Sequence, residues 1–356
     1  MNLYKMQRKK IQIIWLFLLA LLSCNSSETV NEKLLRGIHE RNWNLVITAL
    51  EQGASPSTDY YIGTSSNNEP IYYTAFLAAI QYEAPTDVLE KFLENGADLQ
   101  KRTISGYNAL HLAGSNYDVV VWLLDHAEKP AGLLAARTEW GASPLHSAAG
   151  GNDPAVVQVY LDFGVDINLK DNNGRTPLMY ASSSGSPQVI ELLKTNGADL
   201  EATDNDGNTA LYYAATRSKE ENLEMLLDYG LSVNIPDVKG KTLLMTISQG
   251  TNADIAKILI NAGARIDQVD LSGKSALIWA CSEYSSWPPP PSGFSGGSLT
   301  DSGKKLYSDT IMVLIQNGAR LDIRDNTGKT AFDYARENED LTGTDAYWTL
   351  SDQSFQ

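Results

Sequence analysis

Only two cysteines, Cys24 and Cys281, and four histidines occur in 356 residues. A framework of disulfides is excluded, so stability must come from packing. No H-E-x-x-H or C-x-x-C pattern is present, and no metal or other cofactor is expected. Basic residues are also scarce: 28 Lys and Arg stand against 43 Asp and Glu, a net charge of −15. Nucleic acids are bound by cations that neutralise phosphates, which makes them poor partners for this chain. Long apolar runs are missing too. The longest covers residues 13–22, about half of the roughly 20 residues that cross a bilayer as a helix. With 43% hydrophobic residues the chain nevertheless has the composition of a globular protein rather than a disordered one.

The short apolar run has a telling context. Lys5, Arg8, Lys9 and Lys10 precede it, no acidic residue occurs before position 24, and small residues follow it. A basic start, a short apolar run and a small exit form the layout of an export signal. The exit, Leu21-Leu22-Ser23-Cys24, resembles the lipobox of bacterial lipoproteins. That resemblance implies a signal peptide over 1–23, an acylated Cys24 and a lipidated tether over 24–31. It also implies anchoring to a bacterial membrane. Asn25 stands where the inner-membrane retention rule has Asp, which favours the outer membrane. Loss of residues 1–23 removes four basic and no acidic side chains, taking the net charge to about −19.

Beyond the tether the chain repeats. "SGYNALHLAG", "WGASPLHSAA", "NGRTPLMYAS", "DGNTALYYAA", "KGKTLLMTIS", "SGKSALIWAC" and "TGKTAFDYAR" place glycines at 106, 141, 174, 207, 240, 273 and 328, mostly 33 apart. The last gap is 55 residues, one period with 22 inserted. A second series, "FGVDI", "NGADL", "YGLSV", "AGARI" and "NGARL", keeps the same step and breaks at the same place. Within one unit, Thr176 suits a helix cap and Pro177 its first turn, while Val189, Ile190, Leu192 and Leu193 form an apolar stripe.

A 33-residue period built on T-P-L-H-x-A and L-L-x-x-G-A-D resembles the ankyrin repeat over residues 32–340. The resemblance implies an all-α solenoid of about eight to nine helix-turn-helix units joined by short finger turns. It implies a non-catalytic protein that binds another protein along the concave side formed by fingers and first helices. Transferred onto this chain, the recognition positions are Tyr107, Trp140, Asn172, Asn173, Arg175, Ser184, Asn205, Asp206, Asn208, Arg217, Lys239, Lys241 and Lys274. Tyr180, Tyr213, Trp279 and Tyr334 share one place in the first helices, expected to pack between repeats. His111 and His146 are expected to brace neighbouring fingers, and Cys281 to be a core residue. With Cys24 acylated no intramolecular disulfide is possible, and the chain is expected to be monomeric.

Two insertions interrupt the pattern, near 58–70 and at 284–306, the second carrying Pro288 to Pro291. The third unit, "LLDHAEKPAGLL", lacks its glycine, so its second helix should end irregularly near Pro130. Residues 341–356 read as a tail with one short helix around 346–350. The G-K-T and G-K-S triplets lack the glycine five residues earlier that a phosphate loop needs. Gly293-Phe294-Ser295-Gly296-Gly297 matches a nucleophile elbow only formally, because it lies in a Pro/Gly/Ser loop rather than between strand and helix. A membrane-tethered protein-binding module is the leading expectation. An inhibitor or immunity protein against a toxin or enzyme is the alternative, and an accessory of peroxide defence a remote one.

Overall fold

Each repeat spends its apolar residues on two helices of only a few turns, too short to be stable in water without neighbours. The computed structural model describes residues 28–64, 70–250, 252–282 and 301–353. It divides into two compact units, Met1–Asn172 and Asn173–Gln356. Cys24, the signal segment, Pro288 to Pro291 and the Gly293–Gly297 motif lie outside the described residues.

The first unit contains α1 (Val30–Glu40), α2 (Trp43–Glu51), β1 (Asp59–Thr64), β2 (Pro70–Thr74), α3 (Ala75–Gln81) and α4 (Thr86–Glu94). It continues with α5 (Ala109–Ala113), α6 (Tyr117–His126), α7 (Pro130–Leu134), α8 (Pro144–Ala149) and α9 (Pro154–Asp162). Asn42, Asn116 and Asp153 cap second helices by accepting a backbone N–H of the first turn. Leu34, Ile38, Val46, Leu50, Leu89, Leu110, Leu123 and Val156 are fully buried along the stacked pairs. Each such side chain contributes about 2 kcal/mol of transfer free energy. The third pair ends irregularly, as its missing glycine predicts. The C-cap of α6, Ala127, has extended backbone, and Pro130 then opens the extra helix α7 as its first residue.

The long first finger departs from the all-α expectation. It is an antiparallel hairpin in which Asp59 pairs with Thr74 and Tyr60 with Tyr73, with a bulge between Tyr61 and Gly63. "DYYIGT" and "PIYYT" are strand-prone because aromatic and β-branched residues fit a pleated surface. Tyr60 is fully buried, meets Tyr82 edge-on at 5.7 Å and lies 3.1 Å from His39 Nδ1. This ties the base of the hairpin to α1.

The second unit contains α10 (Pro177–Ser184), α11 (Pro187–Thr195), α12 (Ala210–Thr216), α13 (Glu220–Asp228) and α14 (Leu243–Ser248). These are followed by α15 (Ala253–Asn261), α16 (Ala276–Cys281), α17 (Asp301–Gln316), α18 (Ala331–Glu337) and α19 (Asp345–Gln353). At 16 residues α17 is the longest helix among the described residues, and it takes in the end of the segment read as insertion. Tyr307, fully buried within it, donates to the Ser282 carbonyl at 2.6 Å and fixes the helix to the end of α16. The residues read as a tail form α19, a partner for α18, with Leu341, Ala346 and Leu350 buried. Two buried asparagines tie pairs together. Asn222 Nδ2 reaches the Ser182 and Gly185 carbonyls, both at 3.2 Å, and Asn338 Nδ2 reaches the Ser282 carbonyl at 3.0 Å.

Two kinds of glycine punctuate each repeat. Gly197, after α11, has φ +88 and open space where a Cβ would stand, whereas a Cβ on the finger residue Gly174, φ +78, would lie 2.8 Å from the Asn205 backbone nitrogen. Both alanine variants suffer the left-handed backbone penalty, and only the second must also displace a neighbouring finger. Gly197→Ala is expected to cost about 1 kcal/mol and Gly174→Ala about 3 kcal/mol, read by urea denaturation.

Candidate protein-binding face

The fingers are built on one oxygen each. In the first unit the Thr103 and Thr138 hydroxyls accept from the backbone nitrogens of Tyr107 and Ala142 at 3.0 and 3.1 Å. In the second unit an aspartate takes over. Asp204 Oδ1 accepts from the nitrogens of Asp206 and Asn208 at 2.9 and 2.8 Å, and Asp237 Oδ1 from those of Lys239 and Lys241, both at 2.8 Å. Asp270 and Asp325 repeat the arrangement. An aspartate bonding its own backbone in this way mimics a turn and frees the chain from needing a longer loop. Successive fingers are then joined by backbone bonds. Glu139 donates to the Ser105 carbonyl at 2.9 Å, and Val238 and Leu271 donate to the carbonyls of Asp206 and Lys239 at 2.9 and 3.1 Å.

The second carboxylate oxygen of Asp204, Asp270 and Asp325 reaches into the first helix nine residues on. Tyr213 donates to Asp204 Oδ2 at 2.5 Å, Trp279 to Asp270 Oδ2 at 2.8 Å and Tyr334 to Asp325 Oδ2 at 2.5 Å. Cations from the finger tips lie on the Tyr180, Trp279 and Tyr334 rings. Arg175 sits 5.0 Å from the Tyr180 centroid, Lys241 4.4 Å and Lys274 4.6 Å from Trp279, and Lys274 4.4 Å and Lys329 5.1 Å from Tyr334. Each half-buried contact of this kind contributes about 1 kcal/mol. The row therefore sets cations against rings, with a carboxylate behind Tyr213, Trp279 and Tyr334.

Titration behaviour follows from this wiring. Burial alone would raise Asp270, but hydrogen bonds from Ser272, Lys274 and Trp279 outweigh it and hold the carboxyl below its ordinary range. Asp325 is brought to about 2 in the same way: burial works against hydrogen bonds from Thr327, Tyr334 and Lys329, and the bonds win. Lys241 is different, since burial lowers its ammonium to about 8 despite the nearby Asp237 and Asp270. Its Nζ donates to Gln249 Oε1.

Position 246 breaks the row. Counting 33 residues from Tyr213 gives Thr246, where the other four places have Tyr180, Tyr213, Trp279 and Tyr334. A cavity of about 710 Å³ opens there, lined by Thr246, Asp237, Lys241, Gln249, Tyr212 and Trp279 among others.

The sequence-predicted residues fall into three groups. Tyr107 and Trp140 meet edge-on with centroids 6.2 Å apart, Trp140 being 49% exposed, while Arg175, Lys241 and Lys274 are the cations of the row. Other positions are occupied in holding fingers together. Asn172 Nδ2 donates to the Glu139 carbonyl at 2.9 Å, and the carbonyls of Asn173 and Asp206 accept from the next finger, the first from the Asn205 backbone N–H at 2.9 Å. Asn208 Nδ2 donates to Asp204 Oδ2 at 3.1 Å, and Ser184 Oγ to the Tyr180 carbonyl at 3.3 Å. Arg217 and Lys239 are exposed. Sequence reading passed over Asp204, Asp237, Asp270 and Asp325, although an Asp three residues before the finger glycine recurs in "DNDG", "DVKG", "DLSG" and "DNTG".

The paired helices, bonded fingers and 33-residue step agree with the comparison to known families. Residues 75–171 and 145–237 match the family model described as Ankyrin repeats (3 copies). No curated protein matches the chain. Ankyrin repeats are thus recognised in a mostly helical protein, and they suggest an interaction with another protein.

Proposed function

We propose that the chain is a lipid-anchored bacterial lipoprotein that binds another protein through its fingers and first helices, without catalysis. The observation that carries the binding part is the finger row of the second unit, whose cations and rings are half-exposed on rigid, mutually bonded turns. Arg and aromatic side chains on a preorganised scaffold are what binding hot spots are made of. Ankyrin-repeat proteins are usually non-catalytic. Cys281 is fully buried, and burial pushes its thiol up, away from the thiolate a nucleophile needs.

The anchoring part rests on the sequence Leu21-Leu22-Ser23-Cys24 after its basic and apolar segments. Among the described residues no helix is long and apolar enough to cross a membrane. The tether read as 24–31 is shortened by α1, which begins at Val30; the five residues from Asn25 to Thr29 span about 18 Å at most, so an acylated Cys24 would hold the first helix pair near the bilayer. The proposed location is the outer membrane, with the chain acting as a monomer. Growth with radiolabelled palmitate tests the anchor. Wild-type chain is expected to carry label and Cys24→Ala none, and label persisting in the variant would overturn the anchoring. Affinity capture with the full-length chain tests the binding. A partner retained by wild-type and lost on replacing Lys241 and Lys274 by Glu is expected, and equal capture by both would remove the finger row from the reading.

A further inference from the structure

The break at Thr246 leaves a set of groups arranged for a ring that none of the described residues supplies. At Tyr213, Trp279 and Tyr334 a ring donates to the outer oxygen of the finger aspartate nine residues earlier. At the break the aspartate is present, Asp237, and its inner oxygen closes the finger as in its neighbours. Among the described residues no O–H or N–H of a first-helix ring reaches its outer oxygen. Elsewhere the finger cations Lys274 and Lys329 each lie over the ring five residues later, at 4.6 and 5.1 Å. Lys241 keeps only the Trp279 ring, at 4.4 Å, and where its own ring would stand the cavity opens.

Resting on the protein-binding reading, we propose that this vacancy receives a tyrosine or tryptophan side chain of the protein partner. The incoming O–H or N–H donates to the outer oxygen of Asp237, as Tyr213 donates to Asp204, and the ring lies against the Lys241 ammonium. Two filled examples in one row, Trp279 and Tyr334, define the chemistry: a donor at the ring edge, a carboxylate behind it and a cation on its face. A tyrosine or tryptophan has that donor and a phenylalanine does not. The volume argues for a side chain on a polypeptide. At about 710 Å³ the cavity exceeds one aromatic side chain several-fold, leaving room for the residues that flank it. Asp206, Lys239 and Asp270 on its border supply polar contacts for that flanking backbone. A single buried aromatic anchor inside a polar rim is the usual architecture of a strong protein contact.

The test uses N-acetyl-tyrosinamide and N-acetyl-tryptophanamide as probes on the full-length, isotope-labelled chain, with N-acetyl-leucinamide as control. Both aromatic amides are expected to shift the NMR signals of Lys241, Thr246 and Trp279 with a Kd on the order of 1 mM, and the leucine amide to leave them in place. Asp237→Asn keeps an oxygen for the finger and removes the charged acceptor, and should weaken the aromatic probes about tenfold. Thr246→Tyr fills the vacancy from within. It should abolish probe binding and raise Tm by about 3 °C. Aromatic amides that bind no better than leucinamide, or equally well to Thr246→Tyr, overturn the proposal. So does tighter binding of free p-hydroxyphenylacetate than of the tyrosine amide, which would mark a small-molecule site. A protein partner captured equally by wild-type and Thr246→Tyr defeats the vacancy while leaving the protein-binding reading intact. Lack of any specific partner beside clean probe binding at Thr246 defeats that reading instead, while supporting the chemistry assigned to the cavity.

Discussion

Asp270→Ala is expected to destabilise the second unit by about 3 kcal/mol. The carboxylate is 8% exposed and accepts four hydrogen bonds: from the Ser272 nitrogen at 2.8 Å, the Ser272 hydroxyl at 2.7 Å, the Lys274 nitrogen at 2.9 Å and Trp279 Nε1 at 2.8 Å. Alanine leaves two backbone donors and an indole N–H without their acceptor, and it removes the negative charge beside Lys241. Bonds to a charged acceptor are worth about twice neutral ones, which is why the sum is large. Asp237→Ala serves as the internal comparison. It loses the same two backbone bonds but no ring donor, so its cost should be smaller by about 1 kcal/mol. The pair is measured by urea denaturation followed by amide exchange over residues 270–282. Equal costs would mean that the Trp279 bond contributes nothing. Because the charged form is the one bonded, the contribution is present above the ordinary aspartate pKa and fades as pH falls through the depressed value.

Repeat period, helix pairing and the place of the breaks were legible because a fixed step of 33 is independent of detail. Two glycine series carry it: one allows the left-handed exit of the second helix and the other lets fingers touch. The paired strands 59–64 and 70–74 show in the sequence only as an insertion near 58–70, because a repeat period marks excess length but not its conformation. Residues 345–353 were undervalued for a related reason. "DAYWTLSDQ" has few apolar residues, but Ala346 and Leu350 are four apart, and one buried side is enough when α17 and α18 supply the rest of the core. Recognition positions transferred from the repeat pattern landed on the fingers, yet the pattern does not say which way a side chain turns. Asn172 and Asn205 turn towards the preceding finger, where they cover Gly141 and Gly174, whereas Arg175, Lys241 and Lys274 turn onto rings. Variation at a position therefore has two physical meanings here, a bond between fingers or a group offered outward. Only geometry separates them. The finger aspartates needed no geometry, because four copies at one offset from a glycine already form an Asx-turn signature.

Acid should weaken the first unit through one imidazole. His111, at the third position of α5, is 5% exposed; Asn108 donates its backbone N–H to Nδ1 at 3.3 Å, and Nε2 donates to the Ala142 carbonyl of the next finger at 3.0 Å. Burial lowers its pKa to about 4; the Ala142 carbonyl favours the charged form, whereas Arg102, Arg137 and His146 oppose it. In the unfolded chain the same group titrates near 6.5. Between pH 6.5 and 4 the unfolded state thus holds more protons than the folded one, so stability falls as pH falls through that window. The full loss is about 3 kcal/mol, reached near pH 4 and absent above pH 7. Carboxylates throughout this acidic chain add their own acid sensitivity, so the measurement must be a difference. His111→Gln keeps a side-chain amide for the finger contact but cannot take the proton. Urea denaturation of both proteins from pH 7.5 to 4 should show the wild-type losing stability faster, with the gap between them closing by about 3 kcal/mol. Parallel curves would mean that His111 is solvated in the folded state and does not brace the two fingers. The same bond explains the replacement of His by Met at this place in the second unit. Met179 and Met245 receive the Thr176 and Thr242 nitrogens on sulfur at 3.4 Å, and a thioether has no proton to lend the next finger. Fingers there are joined through backbone and aspartate, and the acid sensitivity of this imidazole is confined to the first unit.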